Sequence, residues 1–377
     1  MKTEELQKWI GKTEERTDVL TSFPATALAA TLNHKELDYS ENKKLPPLWH
    51  WLYFLPIFRL SEAGYDGHAA LGDFLPPVPL PRRMWAGSRI KFLSPLKLGN
   101  EYKKTSTIKS VSAKSGRSGN LVFVTVTHEV SSDGSICINE EHDIVYREKA
   151  TSSSASAKLV EAPKEFDFSN DINPDPVLLF RYSALTFNGH RIHYDHPFCT
   201  ETEGYDGLVV HGPLLATLLL DGLASHKPNC IVQNFEFRAM APVFDHMKFK
   251  VRGKQVDTSE YSLWIEREDG CDDSDECDSK GHIESLIAAL EVEISFFSDS
   301  FSTDFDLSPL LFTFYPPPLT TGRWLSCNSL FLNDCCFKYK FLKSFASNFP
   351  ISHLITGFFD LDYNSTFICP TPTSKFF

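Results

Sequence analysis

The stretch Arg181-Tyr-Ser-Ala-Leu-Thr-Phe-Asn-Gly-His-Arg-Ile-His-Tyr-Asp195, followed after a polar loop by Gly207-Leu-Val-Val-His-Gly-Pro-Leu-Leu-Ala-Thr217, decides how this chain is read. Arg181 to Phe187 predicts a short helix, since it lacks the alternation of a strand, and Asn188-Gly189 ends it. His190 and His193 therefore fall just past a helix end. Pro213 suits a first helical position, and Leu214 to Leu220 is an apolar run of helical length that must be buried on nearly all sides. Two loop imidazoles ahead of a glycine at the mouth of a buried helix suit a site that polarises a carbonyl and moves protons. A neutral imidazole exchanges a proton near pH 7, and the free N–H groups of a helix N-terminus hold a developing oxyanion. Gly212 suits that place because a missing Cβ lets a substrate oxygen approach the backbone. A lone loop histidine is more often structural than catalytic. Three of them, His190, His193 and His211, beside a Gly-Pro helix start bring the two readings into balance.

Outward from that centre, the chain reads as one plan used twice. Glu4–Ile10 and Pro24–Leu32 are expected helices, and Leu45-Pro-Pro-Leu-Trp-His-Trp-Leu-Tyr-Phe-Leu55 predicts a buried helix entered through two prolines. His50 within it is expected to be packed. Gly64 to Gly87, rich in glycine and proline, is too irregular for helix or strand, and a loop of that length usually carries or covers a site. From Ser88 the period is two, and strands are expected at 88–93, 101–110, 120–130 and 136–148. Thr151-Ser-Ser-Ser-Ala-Ser-Ala-Lys158 marks a linker. The second half repeats helix, buried helix and strands, at 231–238, 248–255 and 261–268, with 286–295 able to close the sheet. The acidic loop 269–282 holds Cys271, Cys277 and His282, three residues at a spacing that fits no standard metal site, so a solvated loop is expected there.

A net charge of −12 and the lack of any basic block argue against nucleic acid as a partner. The 42% hydrophobic content allows a sizeable core in each of two domains. Nine scattered cysteines and an acidic start without an apolar segment predict an intracellular, reducing compartment. No run of about 18 uncharged apolar residues indicates a membrane span.

Thr186–Asp195 together with Val209–Thr217 resembles the active segment of the MaoC-like, hot-dog-fold (R)-specific hydratases and dehydratases. The branch most similar comprises hydroxyacyl-thioester dehydratase type 2 and the mesaconyl-C4-CoA hydratases. Phe74–Pro77 and Pro81–Gly87 resemble the amino-terminal domain of the same branch. The likeness covers roughly residues 1–296 and implies an α+β double hot-dog, two antiparallel sheets each wrapped around a central helix. Its parts are a degenerate domain at 1–150, a linker at 151–165 and a catalytic domain at 166–296. By this resemblance His193 is the family histidine and Gly212 the oxyanion glycine, while Thr217 is the hydroxyl that supports the loop. Asn188 stands where the wider family has Asp, which makes His190 the nearest candidate to activate water. Arg82 and Arg83 either meet the phosphates of coenzyme A or phosphopantetheine or form a carboxylate-paired turn.

The implied activity is the reversible dehydration of (3R)-hydroxyacyl thioesters to trans-2-enoyl thioesters, as in type II fatty acid synthesis. The alternatives are hydration of short branched or dicarboxylic CoA esters, with Arg191 or Arg181 on a free carboxylate, and a non-catalytic module that binds acyl thioesters. The resemblance implies no metal and no cofactor, an acyl-CoA or acyl carrier protein thioester as partner, no nucleic acid or membrane, and allows a homodimer. It also implies a mitochondrial address, although the start of the chain is acidic where a presequence is Arg-rich.

Past Phe296 the resemblance stops. Phe, Ser, Leu and Pro crowd together without a helical or strand period, so residues 297–377 are expected to be a non-homologous, disordered tail. A chain ending near Phe297 should therefore be more soluble and at least as active in an enoyl-thioester hydration assay. Loss of folding or activity on that truncation would make the tail an integral part of the protein.

Overall fold

The computed structural model describes residues 3–116, 119–148, 160–267 and 285–296. The elements in order are α1 (Thr3–Gln7), β1 (Thr13–Val19), α2 (Ser22–Thr31), β2 (Arg82–Phe92), β3 (Glu101–Gly116), β4 (Gly119–Ser132), β5 (Ser135–Arg147), β6 (Val160–Glu161), β7 (Phe168–Ile172), α3 (Pro176–Leu185), α4 (Gly212–His226), β8 (Cys230–Ala239), β9 (Phe249–Gln255), β10 (Glu260–Arg267) and β11 (Ser285–Phe296). The chain divides into Met1–Ser300 and Phe301–Phe377, and every described residue lies in the first unit. The expected linker residues 151–159, the loop with Cys271, Cys277 and His282, and the tail 297–377 lie outside the described residues.

The paired strands run β1-β3-β4-β5-β2-β8-β11-β10-β9-β7, with β6 beside β11. That order reads the same from either end, because each half follows the plan strand, helix, turn or helix, then four strands. Every pairing is antiparallel. Asp133-Gly134 between β4 and β5 has φ of 49° and 76°, the left-handed pair that a two-residue hairpin needs and that Asp-Gly supplies cheaply. α4 buries Leu214–Leu220 and Leu223, as the apolar run requires, and shares a core with Phe235, Phe249, Val251 and Leu263 of the second-half strands.

Three expectations change. The predicted helix at Leu45–Leu55 is a single 3-10 turn, Trp49–Leu52, bounded by Leu48 at φ 70° and Phe54 at φ 56°. Its neighbours pull the side chains in different directions, which one helical stripe does not allow. Trp49 packs on Tyr39 and Trp51 on Trp85, while Tyr53 Oη donates to the Thr21 carbonyl at 2.6 Å and Phe54 N to Asp18 Oδ2 at 2.9 Å. The central helix is thus present in the second half and reduced to a turn in the first. Next, the irregular stretch ends at Pro81, since β2 starts at Arg82 and not at Ser88. Finally, β1 carried no hydrophobic signal, because none of its residues is buried. It is an edge strand held by its ladder with β3 and by Lys103–Glu15 at 3.0 Å.

The two halves join where β2 pairs with β8, from Gly87↔Arg238 to Lys91↔Asn234. A bulge in β2 falls between Trp85 and Gly87, and a Cβ on Gly87 would overlap the Phe237 carbonyl oxygen. Backbone cannot retreat as a side chain can. Gly87→Ala should therefore lower the unfolding free energy by about 1–3 kcal/mol in urea titrations, the usual cost of overpacking. An unchanged midpoint would show the seam to be looser than its geometry.

Candidate active site

The site begins with the ending of α3. Asp175 caps that helix by accepting from Leu178 N at 2.7 Å, with Pro176 at its start. At its end Phe187 turns left-handed, with φ 50°, and Asn188 Oδ1 accepts from His190 N at 3.0 Å, reversing the chain. A 3-10 turn over Arg191–His193 then buries Ile192 and His193. His193 Nδ1 donates to the Val209 carbonyl at 2.6 Å, which fixes the tautomer and leaves the lone pair on Nε2. The ring of His193 stacks on His211, with centroids 3.6 Å apart, and stands edge-on to His190 at 5.5 Å. His211 is the residue before α4, and its Nε2 meets Ser183 Oγ at 2.8 Å.

The first half completes this array. Gly67, at φ +89°, lies so close to the 186–195 loop that a Cβ there would overlap the Gly189 carbonyl oxygen, and a Cβ on Gly189 would sit 2.6 Å from the Gly67 oxygen. Arg191 N donates to the Asp66 carbonyl at 2.9 Å and Arg191 Nη1 to the Tyr65 carbonyl at 3.1 Å. This docking brings the His68 ring within 4.2 Å of His190, while Asp66 Oδ2 accepts from His68 Nδ1 at 3.0 Å. Asp66, His68, His190, His193, His211 and Ser183 thus follow one another through the site. One ligand atom from each of Asp66, His68 and His190 falls within 4.8 Å of the other two, so among the described residues these three could hold a metal ion.

Burial disfavours charge on every ring. It pushes the His193 pKa down to about 4 against the Val209 hydrogen bond. Burial, joined by neighbouring imidazoles, also lowers His190 and His211, and burial lowers His68 in spite of Asp66. For Asp66 burial acts upward, but the His68 hydrogen bond and the charge of Arg83 hold the carboxyl well below its ordinary range. Near neutral pH the site holds one carboxylate and a row of neutral imidazoles.

The residues singled out in the sequence divide into those gathered here and those held elsewhere. His193, His190, Asn188 and Gly212 come together around the mouth of α4. The Cβ position of Gly212 is filled by the Trp85 ring, whose Cε3 would lie 2.6 Å away, so the glycine is needed for that packing as well as for any oxygen at the helix end. Thr217 Oγ1 donates to the Pro213 carbonyl at 2.8 Å, within the first turns of the helix. Arg82 is turned inward and buried, with Nε 2.9 Å from Glu203 Oε2 and Nη2 on the Glu203 carbonyl. Of the two partners read for Arg82, a carrier phosphate or a carboxylate, its fork holds the carboxylate. Arg83 is near enough for its charge to lower the Asp66 carboxyl and the His190 imidazole. Arg191 is committed to Asp195 through Nε at 2.9 Å and Nη2 at 2.7 Å, and Arg181 is exposed. Asp66 and His68 were missed as site residues. Their signal was the Gly64-Tyr-Asp-Gly-His68 turn chemistry in a loop of functional length, yet nothing in sequence joins it to His190.

The chain matches the family described as hydroxyacyl-thioester dehydratase type 2 over residues 48–245. It is 45% identical over 251 residues to mesaconyl-C(4)-CoA hydratase of Chloroflexus aurantiacus, covering 67% of this chain and 89% of that one. It is 28% identical over 280 residues to the mitochondrial hydroxyacyl-thioester dehydratase type 2 of Schizosaccharomyces pombe, covering 66% and 91%. Among solved structures, a MaoC-like dehydratase from Phytophthora capsici superposes with a TM-score of 0.52 at 13% identity, covering 78% of this chain and 99% of that one. The HtdX structure of Mycobacterium tuberculosis does so with 0.51 at 14%, covering 74% and 99%. The mirrored strand order, the buried helix α4 and the segment 186–217 at its mouth accord with these likenesses, and the chain belongs to the hydroxyacyl-thioester dehydratase type 2 family of hydro-lyases, with a double hot-dog fold.

Proposed function

We propose that this chain interconverts (3R)-hydroxyacyl and trans-2-enoyl thioesters, with His193 as the base that exchanges the α proton. The observation that carries the reading is the state of His193: neutral, held by Val209 and backed by His211, with Nε2 unprotonated at the mouth of α4. The α C–H bond is weak as an acid, so charge passing to the thioester oxygen must be stabilised. Amide N–H groups at the start of α4, beginning with Gly212, serve that oxygen, and the indole of Trp85 over Gly212 excludes water from it. The proton that His193 takes from the α carbon is delivered to the departing hydroxyl, which His190 orients by hydrogen bonding, so that water leaves and both rings end neutral; in the reverse direction His190 orients the attacking water. Asp66, acting through His68, supplies from the first half the carboxylate that the wider family has at position 188. Proton transfer and oxyanion binding by these groups suffice, and no cofactor is invoked.

Two substrate classes stand within this reading. The (3R)-hydroxyacyl thioesters of type II fatty acid synthesis, on coenzyme A or an acyl carrier protein, draw support from the yeast relatives, whose names also carry a mitochondrial address. Short branched or dicarboxylic CoA esters draw support from the Chloroflexus relative, at 45% identity.

Purified protein should hydrate crotonyl-CoA in an absorbance assay, and an inert wild type would sink the reading. His193→Ala should lower kcat by about 100-fold or more with an unchanged unfolding midpoint. The pH profile carries a further mark. His193 is active when unprotonated, and its pKa is pushed down to about 4, so kcat/KM should hold through pH 6.5 and fall only as pH drops towards 4. An acid limb centred on 6.5 would place the base in a more open site. Asn188→Asp should retain activity, since it adds the family carboxylate beside an imidazole that already has one in reach. A folded but inactive variant would show that Asn188 is needed as an amide.

A further inference from the structure

Residues 64–68 of the first half and the 186–195 loop of the second meet over three side chains that carry the donor atoms of a metal site. One atom from each of Asp66, His68 and His190 lies within 4.8 Å of the other two, and no second such trio occurs among the described residues. The His68 and His190 rings are inclined at 44°, with centroids 4.2 Å apart. Asp66 Oδ2 is 3.0 Å from His68 Nδ1. Neighbouring donors around a tetrahedral ion with bonds of about 2 Å stand about 3.3 Å apart, so an ion replaces that hydrogen bond with little movement.

Backbone contacts hold the trio in place from behind. A Cβ on Gly67 would overlap the Gly189 carbonyl oxygen, and Arg191 N donates to the Asp66 carbonyl at 2.9 Å. His190 N donates to Asn188 Oδ1 at 3.0 Å. The donors therefore converge before any ion arrives. They are also within reach of solvent: the Asp66 and His68 side chains keep 17% and 26% of their surface exposed, and His190 is half-buried. His193 and His211 lie deeper.

The donor set selects the ion. Two imidazole nitrogens and one carboxylate oxygen suit zinc, which takes nitrogen and oxygen donors at four-coordinate sites, whereas calcium and magnesium ask for oxygens throughout. Arg83 sharpens the choice. Its charge acts on Asp66 and His190 from nearby, which opposes an ion held by charge alone and leaves one that bonds strongly to imidazole.

We propose that Asp66, His68 and His190 form an inhibitory zinc site that clamps the two halves of the chain together. The inhibition, though not the site, rests on the catalytic reading above: zinc takes up the His190 nitrogen needed to orient water and withdraws Asp66 and His68 from that ring. Hydration stops while the ion is bound, and a chelator restores it.

The test uses the untagged full chain, stripped with a chelator, kept reduced and titrated with Co2+ as a spectroscopic probe. Visible bands of an ion with nitrogen and oxygen ligands should appear, and added zinc should remove them. Asp66→Asn, His68→Asn and His190→Gln should each weaken this binding by more than about 10-fold, since loss of even an outer partner of a ligand costs about 10- to 100-fold. Zinc should raise the unfolding midpoint of the wild type, because an ion held by both halves binds the folded chain, and the rise should vanish in each variant. Metal-free midpoints of the variants establish that they fold. Saturating zinc should lower crotonyl-CoA hydration by at least about 10-fold, reversibly, with half-inhibition at the dissociation constant found by zinc competition. Binding undiminished in the variants, or accompanied only by the sulfur-to-cobalt charge-transfer band of cysteine ligands, would overturn the site. Full hydration by the zinc-saturated protein would overturn the inhibition. Metal-free protein that fails to hydrate crotonyl-CoA defeats the catalytic reading instead, and the cobalt and stability measurements then decide the site by themselves.

Discussion

The pairing of β2 with β8 is the constraint on which the rest of the molecule depends. Five residue pairs turn two half-sheets into one, and they fix the Gly64–Pro81 stretch, which runs straight into β2, against the second half. Two further links lock that placement: the close approach of Gly67 and Gly189, and the buried pair of Arg82 with Glu203. Removing one partner of such a pair leaves an uncompensated buried charge, which typically costs about 3–5 kcal/mol, so the pair acts chiefly to enforce one register between the halves. Without the seam, His193 would face α4 with no carboxylate nearby.

The electrostatic character of the site follows from this assembly. Packing imidazoles in a row at 3.6–5.5 Å would be intolerable if they were charged, and burial keeps them neutral. A neutral row is what proton exchange next to a carbonyl needs, because each ring has both a donor and an acceptor nitrogen. The single carboxylate at the far end stabilises a proton that arrives there, without placing a negative charge beside the developing enolate.

Much of this was legible in sequence where local chemistry decides the outcome. Pro213 ahead of a leucine run marked α4, and the helix read at 181–187 is the second half of α3, which ends at Leu185, just ahead of Asn188-Gly189, and begins earlier at Pro176. What could not be read depends on distant neighbours. The Leu45–Leu55 segment has helical composition, but its aromatic rings answer to Tyr39, Trp85 and Thr21, and only the fold brings those together. Arg82 stayed open between a phosphate and a carboxylate partner because Glu203 lies 121 residues away. Asp66 and His68 belong to a turn whose meaning appears only once it rests on Gly189. The reduction of the first central helix to a turn is likewise invisible to periodicity.

The central claim is that a carboxylate from the first half works through His190 in the second. A double-mutant cycle on crotonyl-CoA hydration, using Asp66→Asn, His190→Gln and both together, tests it most directly. If the two act as one unit, each single variant loses a similar factor and the double variant loses little more than either. Losses that multiply in the double variant would show two independent contributions and would contradict the relay across the halves.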